Sequence, residues 1–202
     1  MLAVNNSHSG AAYTGLAITT DGTNLLFAAG TANNRVDVYN GSFKLINTLT
    51  DPTIPAGFTA YEIRQINNQI FVTYASIGDV ANGFIDIFSE SGALVKRFAQ
   101  GRPLNQPWGM ALAPKNFGSF SAALLVGNNL PGGTVNAFNI VTGKFLGALK
   151  DSTGKPIAID QLWGLEFGGD TPANGAANQL FYTAGPSNYV NGVFGVINFV
   201  GK

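Results

Sequence analysis

The sequence predicts an all-β protein, a β-propeller built from four four-stranded antiparallel blades. Three observations lead to this prediction. A repeat of about fifty residues occurs four times, its strands alternate apolar residues with period two, and the chain is rich in glycine. Of the 202 residues, 26 are glycines, which tolerate the positive φ angles of tight turns. Radial repetition of small sheets leaves only short, protected edges, which favours a propeller.

Three strands can be aligned in all four repeats. The third strand aligns best, with Val36, Ile85, Val135 and Phe194 at equivalent places. The first strands are GLAI (residues 15–18), AYEI (60–63), GMAL (109–112) and GLEF (164–167). We therefore predict one domain over residues 1–202, with repeats at about 13–51, 58–100, 107–151 and 162–202.

A fourth strand follows in the first three repeats, as LINTLTD (45–51), LVKRFAQ (94–100) and FLGALKD (145–151). The last repeat has almost no residues left for one, which would leave an unpaired outer edge. The segment LAVN (2–5) precedes the first repeat and belongs to none of its strands. We predict that this N-terminal strand completes the last blade; the alternative is a partial propeller that closes by dimerisation.

One unusual motif, Gln-x-Trp-Gly, which we call the repeated phrase, occurs twice, in NQPWGMALAP (105–114) and DQLWGLEFGG (160–169). Both copies fall at the entrance to the innermost strand, just before a glycine where strands crowd and side chains must be small. In the first two repeats, Thr14 and Thr59 are aligned with the two tryptophans. The motif therefore recurs because each copy occupies the same structural position, the entrance to the innermost strand of a blade.

Composition excludes several classes of function. Eleven Lys and Arg balance eleven Asp and Glu, so no basic surface follows a phosphate backbone and nucleic acid is not an expected partner. The absence of cysteine removes disulfides, thiol nucleophiles and zinc thiolate sites. No apolar run approaches the roughly 20 residues of a membrane helix, and the first ten residues lack the features of an export signal.

Three segments, NQPWGMALAP (105–114), NGFIDIFS (82–89) and QLWGLEFG (161–168), resemble motifs of an uncharacterised, mostly bacterial, often exported family of β-propeller proteins. The family's own versions read NPWGLALAP, NGFVDVFD and GLWGLAFG. The resemblance covers essentially the whole chain. It implies similarity to the C-terminal two-thirds of a six-bladed protein and an extracellular or periplasmic location. It implies no catalytic residues, because none are established for the family.

The repeated phrase supplies four candidate ligand-binding residues. Trp108 and Trp163 offer aromatic faces to a sugar or a peptide side chain. Gln106 and Gln161 offer amide donors and acceptors at the same mouth of the ring. The alternative for the tryptophans is packing between blades, and for the glutamines it is hydrogen bonding to loop backbone.

Two charged residues, Glu62 and Arg64, are further candidates for ligand binding because they lie on the innermost strand of the second blade. Glu166 lies on the matching strand of the fourth. Carboxylates that face a central channel could hold Ca²⁺ through oxygen ligands, whereas the alternative is pairing with other charges. The ligand-rich spacing of a calcium loop is absent, so we predict no metal and no cofactor.

No catalytic residues are predicted. His8 is the only histidine, and no Gly-x-Ser-x-Gly elbow marks a nucleophile. Asp37 and Asp86 occupy one equivalent position, which Asn136 and Gly195 take in the later repeats. A position that recurs with the repeat is predicted to serve a strand or turn contact.

The leading hypothesis is a non-enzymatic binding or scaffold module with a protein or glycan ligand at the ring mouth, because binding residues concentrate on loops held by a rigid scaffold. One alternative is a lactonase-like, metal-dependent propeller hydrolase or lyase that uses Glu62, Glu166 and Asn-rich loops. Another is a self-assembling structural protein in which residues 2–5 pair with the last blade of another chain. A homo-oligomer is therefore a candidate partner.

Overall fold

The computed structural model describes residues 2–20, 22–78 and 80–200, and the chain divides into two compact units, residues 1–102 and 103–202. The first unit contains a 3-10 turn (Ser7–Ser9), β1 (Tyr13–Ile18), β2 (Leu26–Gly30), β3 (Arg35–Tyr39), β4 (Leu45–Leu49), β5 (Phe58–Ile66), β6 (Gln69–Ser76), β7 (Gly83–Ser89) and β8 (Leu94–Gln100). The second contains β9 (Pro107–Leu112), a 3-10 turn (Gly118–Phe120), β10 (Ala123–Asn128), β11 (Gly133–Asn139), β12 (Phe145–Ala148), β13 (Ala158–Ile159), β14 (Leu162–Phe167), β15 (Gln179–Ala184) and β16 (Val193–Asn198).

The strands form antiparallel sheets in simple sequence order, two in each unit. Their orders are β1-β2-β3-β4, β5-β6-β7-β8, β9-β10-β11-β12 with β13 added to β11, and β14-β15-β16. We call these sheets blades 1 to 4. A succession of four antiparallel blades is the architecture of a β-propeller, so the predicted fold class is confirmed. In the described part of the chain, no helix is long and apolar enough to span a membrane.

Every blade has a bulge at the same place on its innermost strand. In blade 3, Trp108 and Gly109 together lie opposite Gly127, and in blade 4, Trp163 and Gly164 lie opposite Thr183. Such a bulge places two residues against one and bends the strand. Blade 1 has its irregularity at Thr14, as the sequence predicts.

The predicted equivalence of Thr59 with the tryptophans is wrong by two residues. In blade 2 the bulge falls at Tyr61 and Glu62, opposite Thr73, so Tyr61 takes the tryptophan's place. The reason is that the hairpin of β5 and β6 continues past the bulge to pair Phe58 with Ser76. The register of this strand pair is set by the hydrogen-bonded pairing of β5 with β6, and the spacing of apolar residues in the sequence does not predict it.

The bulge brings the backbones of successive innermost strands into close approach within each unit. A Cβ atom on Gly109 would lie 2.1 Å from the carbonyl oxygen of Trp163, and one on Gly15 would lie 2.9 Å from that of Tyr61. Thr14 reinforces the second contact, since its hydroxyl donates to the same Tyr61 oxygen at 2.6 Å. The prediction that small residues are needed where the strands crowd is confirmed.

Each unit has its own apolar core between its two blades. In the first unit the core is built around fully buried side chains such as Phe27, Leu49, Ile63 and Ile70. In the second unit it is built around Leu125, Val135, Leu162, Leu165 and Leu180. Residues of the second strands supply much of both cores, as expected for strands that are apolar on both faces.

The predicted N-terminal strand is absent. Residues 2–6 adopt no strand, and blade 4 has three strands. The segment is held instead within the first unit: Asn5 accepts hydrogen bonds from the Ser7 backbone and hydroxyl, which starts the 3-10 turn. Asn6 then donates to the hydroxyls of Tyr13 and Tyr39, at 2.7 Å each. These local polar contacts hold the segment beside blade 1 and away from a strand conformation.

The recurring aspartates of the third strands make buried ion pairs, in line with their predicted structural role. Asp37 pairs with Arg35 at 2.8 Å and accepts a hydrogen bond from Tyr13 at 2.5 Å. Asp86 is fully buried and pairs with Arg97. Arg97 also contacts Asp51 at 2.6 Å, so one cation serves two carboxylates.

The shared cation leaves Asp86 short of compensation. Burial raises the pKa of the Asp86 carboxyl to about 7, against the opposing effect of Arg97, and its Oδ2 atom has no hydrogen-bond partner among the described residues. Burial also acts to raise the pKa of Asp51, but hydrogen bonds from Thr53 and Arg97 bring it below its ordinary value. Asp86 is therefore the carboxyl that is protonated first as the pH falls.

Replacing Gly109 with Ala should lower the free energy of unfolding by about 3 kcal/mol or more, because the new methyl group meets fixed backbone. Gly192→Ala is the matched control: nothing lies within 4 Å of the added atom, so its effect should stay within about 0.5 kcal/mol. Denaturant midpoints measure both variants. Equal midpoints for the two would contradict the close approach.

The raised pKa of Asp86 predicts a pH dependence of stability. The folded state binds this proton more tightly than the unfolded chain, whose aspartates titrate near 3.9. The free energy of unfolding should therefore fall as the pH rises from about 4 to about 7, by roughly 1 kcal/mol or more. Asp86→Asn should flatten this slope in urea titrations at several pH values. An unchanged slope in the variant would exclude Asp86 as its source.

Candidate functional site

Three aromatic rings of the second unit stand in a row, which we call the aromatic ladder: Trp108, Trp163 and Tyr189. The ring centroids of Trp108 and Trp163 are 6.5 Å apart with a tilt of 38°. Those of Trp163 and Tyr189 are 5.6 Å apart, and the planes are nearly parallel at 10°. Trp163 is thus the middle ring, and Tyr189, which is 52% exposed, carries the open end of the ladder.

The two glutamines of the repeated phrase hold a backbone position that few side chains adopt. Gln106 has φ 53° and Gln161 has φ 47°, both in the left-handed region. Each carbonyl accepts a backbone hydrogen bond that extends its strand pair by one residue at the open end of the hairpin, from Asn129 N–H at 2.8 Å and Gly185 N–H at 2.9 Å. These are main-chain hydrogen bonds, whereas the predicted alternative concerned the side-chain amides, and that alternative stays a prediction.

Asn129 links the parts of this site. Its backbone N–H bonds to Gln106, its side-chain amide donates to the Leu162 carbonyl at 3.0 Å, and its amide oxygen accepts from the Tyr189 hydroxyl at 2.6 Å. The residue is buried, so these bonds are formed away from water, where they are strongest. Asn129 fixes the entrance of β9, the start of β14 and the ring of Tyr189 relative to one another.

Tyr189 reaches its place through an unusual backbone segment. Ser187, Asn188 and Tyr189 have φ angles of 60°, 54° and 67°, three consecutive non-glycine residues in the left-handed region. Each such residue costs roughly 1 to 2 kcal/mol. Hydrogen bonds from Tyr189 N–H to the Gly185 carbonyl and from Asn191 N–H to the Pro186 carbonyl hold the segment. Strained backbone of this kind persists where surrounding contacts fix it, and often at functional sites.

Two polar donors at the site lack partners among the described residues: the indole Nε1 of Trp163 and the amide Nε2 of Gln106. A buried donor without a partner costs about 1 to 3 kcal/mol. Both groups are uncharged, and so are the other residues of the ladder. The site is therefore uncharged, and its accessible part is the ring of Tyr189, which is suited to stacking.

The structure places four of the predicted site residues together in the second unit. Trp108, Trp163, Gln106 and Gln161 all lie at the inner-strand entrances of blades 3 and 4. Glu62 and Arg64 lie half-buried on β5 of the first unit, while Glu166 is exposed on β14 of the second. Glu62 and Glu166 lie on innermost strands of blades 2 and 4, as predicted, and the bulge register aligns Glu62 with Gly164.

Within the described ranges of the chain, no three His, Cys, Asp or Glu side chains lie close enough together to share a metal ion. The polar character of the site therefore comes from amides, an indole and a phenol.

Sequence reasoning missed Asn129 and Tyr189. Tyr189 lies outside the aligned strands, because the loop between β15 and β16 (185–192) is longer than the corresponding loops of the other blades. Pro186 and Ser187-Asn188 mark it as a turn, but only the fold places the next ring on Trp163. Asn129 follows β10 as the second of two asparagines, and sequence alone does not separate its role from that of Asn128, whose side chain bonds to the Asn105 and Pro103 backbone.

No family model matches the chain. Three uncharacterised proteins of Acanthamoeba polyphaga mimivirus are similar to it, at 31% identity over 98% of the chain, 28% over 92% and 27% over 91%. The chain spans 38%, 48% and 50% of the length of these relatives. Membership of the bacterial family that the motifs resemble stays a prediction.

Solved structures with similar folds include propellers of different function. The Dos1 propeller matches with a TM-score of 0.56 at 15% identity, over 83% of this chain and 41% of that one. A virginiamycin B lyase from Staphylococcus aureus, solved with quinupristin, matches at 0.59 and 13%, over 98% and 58%. A protein of unknown function from Bacteroides caccae matches at 0.55 and 13%, over 91% and 61%. At these identities the matches establish the β-propeller fold alone.

The strained segment predicts a stabilising substitution. Ser187→Gly should raise the free energy of unfolding by about 1 kcal/mol, because glycine adopts the left-handed conformation without steric cost. Ser152→Gly, at an exposed turn position with ordinary φ, is the control and should be neutral or destabilising. Urea denaturation compares the two. A loss of stability in Ser187→Gly would show that the segment is not strained at this residue.

Proposed function

We propose that the protein is a non-enzymatic binding module and that the aromatic ladder of the second unit binds a neutral glycan. The observation that carries the proposal is the row of three rings ending in the exposed ring of Tyr189. An exposed aromatic face, backed by a second ring at 5.6 Å, matches the flat apolar face of a sugar. Aromatic rings of this kind combine a large contact area with a polar group at one end.

Charge supports a neutral ligand. Residues 171–200, which include Tyr189 and two strands of blade 4, contain no Asp, Glu, Lys, Arg or His. The groups around the ladder are the amides of Gln106, Gln161 and Asn129, with the indole N–H of Trp163. Gln161 and Asn129 are buried, as are the Nε2 atom of Gln106 and the Nε1 atom of Trp163. The exposed ring of Tyr189 is therefore the contact surface, and the apolar face of a sugar matches it. An ionic ligand would find no opposite charge in this stretch of the chain.

The rigidity of the site supports binding as its role. Tyr189 is held by its hydroxyl bond to Asn129 at 2.6 Å, by stacking on Trp163 and by the hydrogen-bonded turn that precedes β16. A ring that is fixed before the ligand arrives loses little conformational entropy on binding, which favours affinity. The strain in residues 187–189 is the stability cost of this arrangement.

The enzymatic alternative has weaker support. Lyase activity belongs to the virginiamycin B lyase neighbour, which shares 13% identity with this chain, and a shared propeller fold does not transfer a reaction. Among the described residues, no group of three or more His, Cys, Asp or Glu side chains is placed to share a metal ion. A non-enzymatic module therefore fits the site better.

Binding can be read from intrinsic fluorescence, because both tryptophans of the chain belong to the ladder. Titration with a panel of neutral oligosaccharides should change the emission saturably with at least one member. Tyr189→Ala should weaken the binding of that oligosaccharide by about two- to tenfold, since stacking worth about 0.5 to 1.5 kcal/mol is lost. Tyr189→Phe keeps the ring and should retain most of the affinity.

Phe43→Ala is the matched control, because Phe43 is an exposed aromatic residue of the first unit and its loss should leave affinity unchanged. If peptides bind saturably and no oligosaccharide changes the emission, the ligand is a protein and the glycan proposal is wrong. Equal affinity of the wild type and Tyr189→Ala would exclude the ladder as the site. No response to either class up to millimolar concentration would overturn the proposal.

A further inference from the structure

We propose that the outer edge of β16 pairs with β16 of a second copy of this chain, so that two blades 4 join as one continuous antiparallel sheet. No other described strand lies on this edge, since blade 4 has the order β14-β15-β16. An open strand edge presents a row of backbone donors and acceptors to any strand that can approach it. The inference concerns an interface and does not depend on glycan binding.

The other blades show which kind of element covers the edge that is equivalent to the outer edge of β16. In blades 1, 2 and 3 the third strand is covered by a fourth antiparallel strand, namely β4, β8 and β12. The covered strands β3, β7 and β11 are almost entirely buried, whereas β16 is exposed or half-exposed at every residue. Phe194 is 73% exposed, although its equivalents Val36, Ile85 and Val135 are fully buried. An antiparallel strand is therefore the partner that the repeat predicts for β16.

A cavity beside β16 leaves space for the side chains of such a strand. It has a volume of about 680 Å³, and its walls include Phe120, Leu146 and Leu149 from blade 3 with Ile197 from β16. In the complete blades, a large apolar residue of the outer strand is buried, as Leu49 is in blade 1 and Phe98 in blade 2. The cavity presents a largely apolar surface between blades 3 and 4, with Lys150 and Asp151 also in its walls, and an added strand would cover it.

Charge favours a second copy as the source of that strand. Edge strands usually avoid pairing by carrying charged residues, especially lysine. The outer strands of the other blades follow this rule: Lys96 and Arg97 lie in β8, and Lys44 and Lys144 directly precede β4 and β12. Residues 171–200 contain no charge, so two copies of β16 can approach without repulsion.

Two copies of β16, whose sequence is VFGVIN, are also complementary to each other. When two copies pair antiparallel about Gly195, Val193 of one copy lies opposite Ile197 of the other, and Phe194 lies opposite Val196. Directly opposed residues share a face of the sheet, and apolar pairs of this kind stabilise it. The arrangement is a two-fold, self-complementary interface.

The oligomeric state tests the proposal. Light scattering over roughly 1 µM to 1 mM, the span of weak to moderate association, should show a concentration-dependent rise to twice the mass of one chain. Val196→Lys should hold the protein at the mass of one chain by placing like charges across the interface. Val193→Lys should do the same from another position on the edge, which guards against a folding defect in a single variant.

Val95→Lys is the matched control, because Val95 is a similarly exposed valine on the outer strand β8. It should dimerise like the wild type. A wild type with the mass of one chain throughout the range would overturn the proposal, as would a dimer unaffected by both β16 variants. Loss of the dimer in Val95→Lys as well would place the interface elsewhere.

Cross-linking tests the register without relying on disruption. The chain has no cysteine, so introduced thiols react alone. A mixture of Phe194→Cys and Val196→Cys proteins should give a high yield of dimer with a short bismaleimide, because these residues lie opposite each other across the interface. A mixture of Val95→Cys and Val196→Cys should give little. Equal yields from the two mixtures would contradict pairing about Gly195.

Discussion

The close backbone approach between successive innermost strands is the constraint on which the rest of each unit depends. Gly109 meets the Trp163 carbonyl, and Gly15 meets the backbone at Tyr61. The approach requires a bulge in each inner strand and a residue without Cβ on one side. Once the strands are this close, the apolar faces of the two blades in a unit meet and exclude water, which supplies the main driving force for folding.

The candidate site is a consequence of the same constraint. The bulge fixes the direction of Trp108 and Trp163. Two residues before each tryptophan, a glutamine with a left-handed backbone conformation accepts a hydrogen bond that extends the strand pair. Asn129 and Tyr189 then add what the repeat lacks: a buried amide that links both blades and an exposed ring that ends the ladder. The two tryptophans come from equivalent positions of blades 3 and 4, and Asn129 and Tyr189, which have no such equivalents in the site, make the resulting surface asymmetric.

The two units satisfy buried polar groups in different ways. The first uses charge, with the Asp37 and Arg35 pair and with Arg97 shared between Asp86 and Asp51. At the equivalent position the second unit has Asn136 and then Gly195, where a Cβ would meet the ring of Tyr182 at 2.4 Å. Charge on the third strands therefore declines along the chain: β3 and β7 carry charged residues, whereas β11 and β16 carry none.

The sequence by itself determined the all-β class, the four repeats, the strands and the need for glycine at the crowded positions, because these follow from local periodicity and backbone sterics. It also indicated Trp108 and Trp163 as a pair. Only the tertiary structure decided that Tyr61 is their counterpart in blade 2, that residues 2–6 form no strand and that Tyr189 completes the site. Pairing register and contacts between distant segments depend on which neighbours satisfy each hydrogen bond, and that information is not carried by any short stretch of sequence.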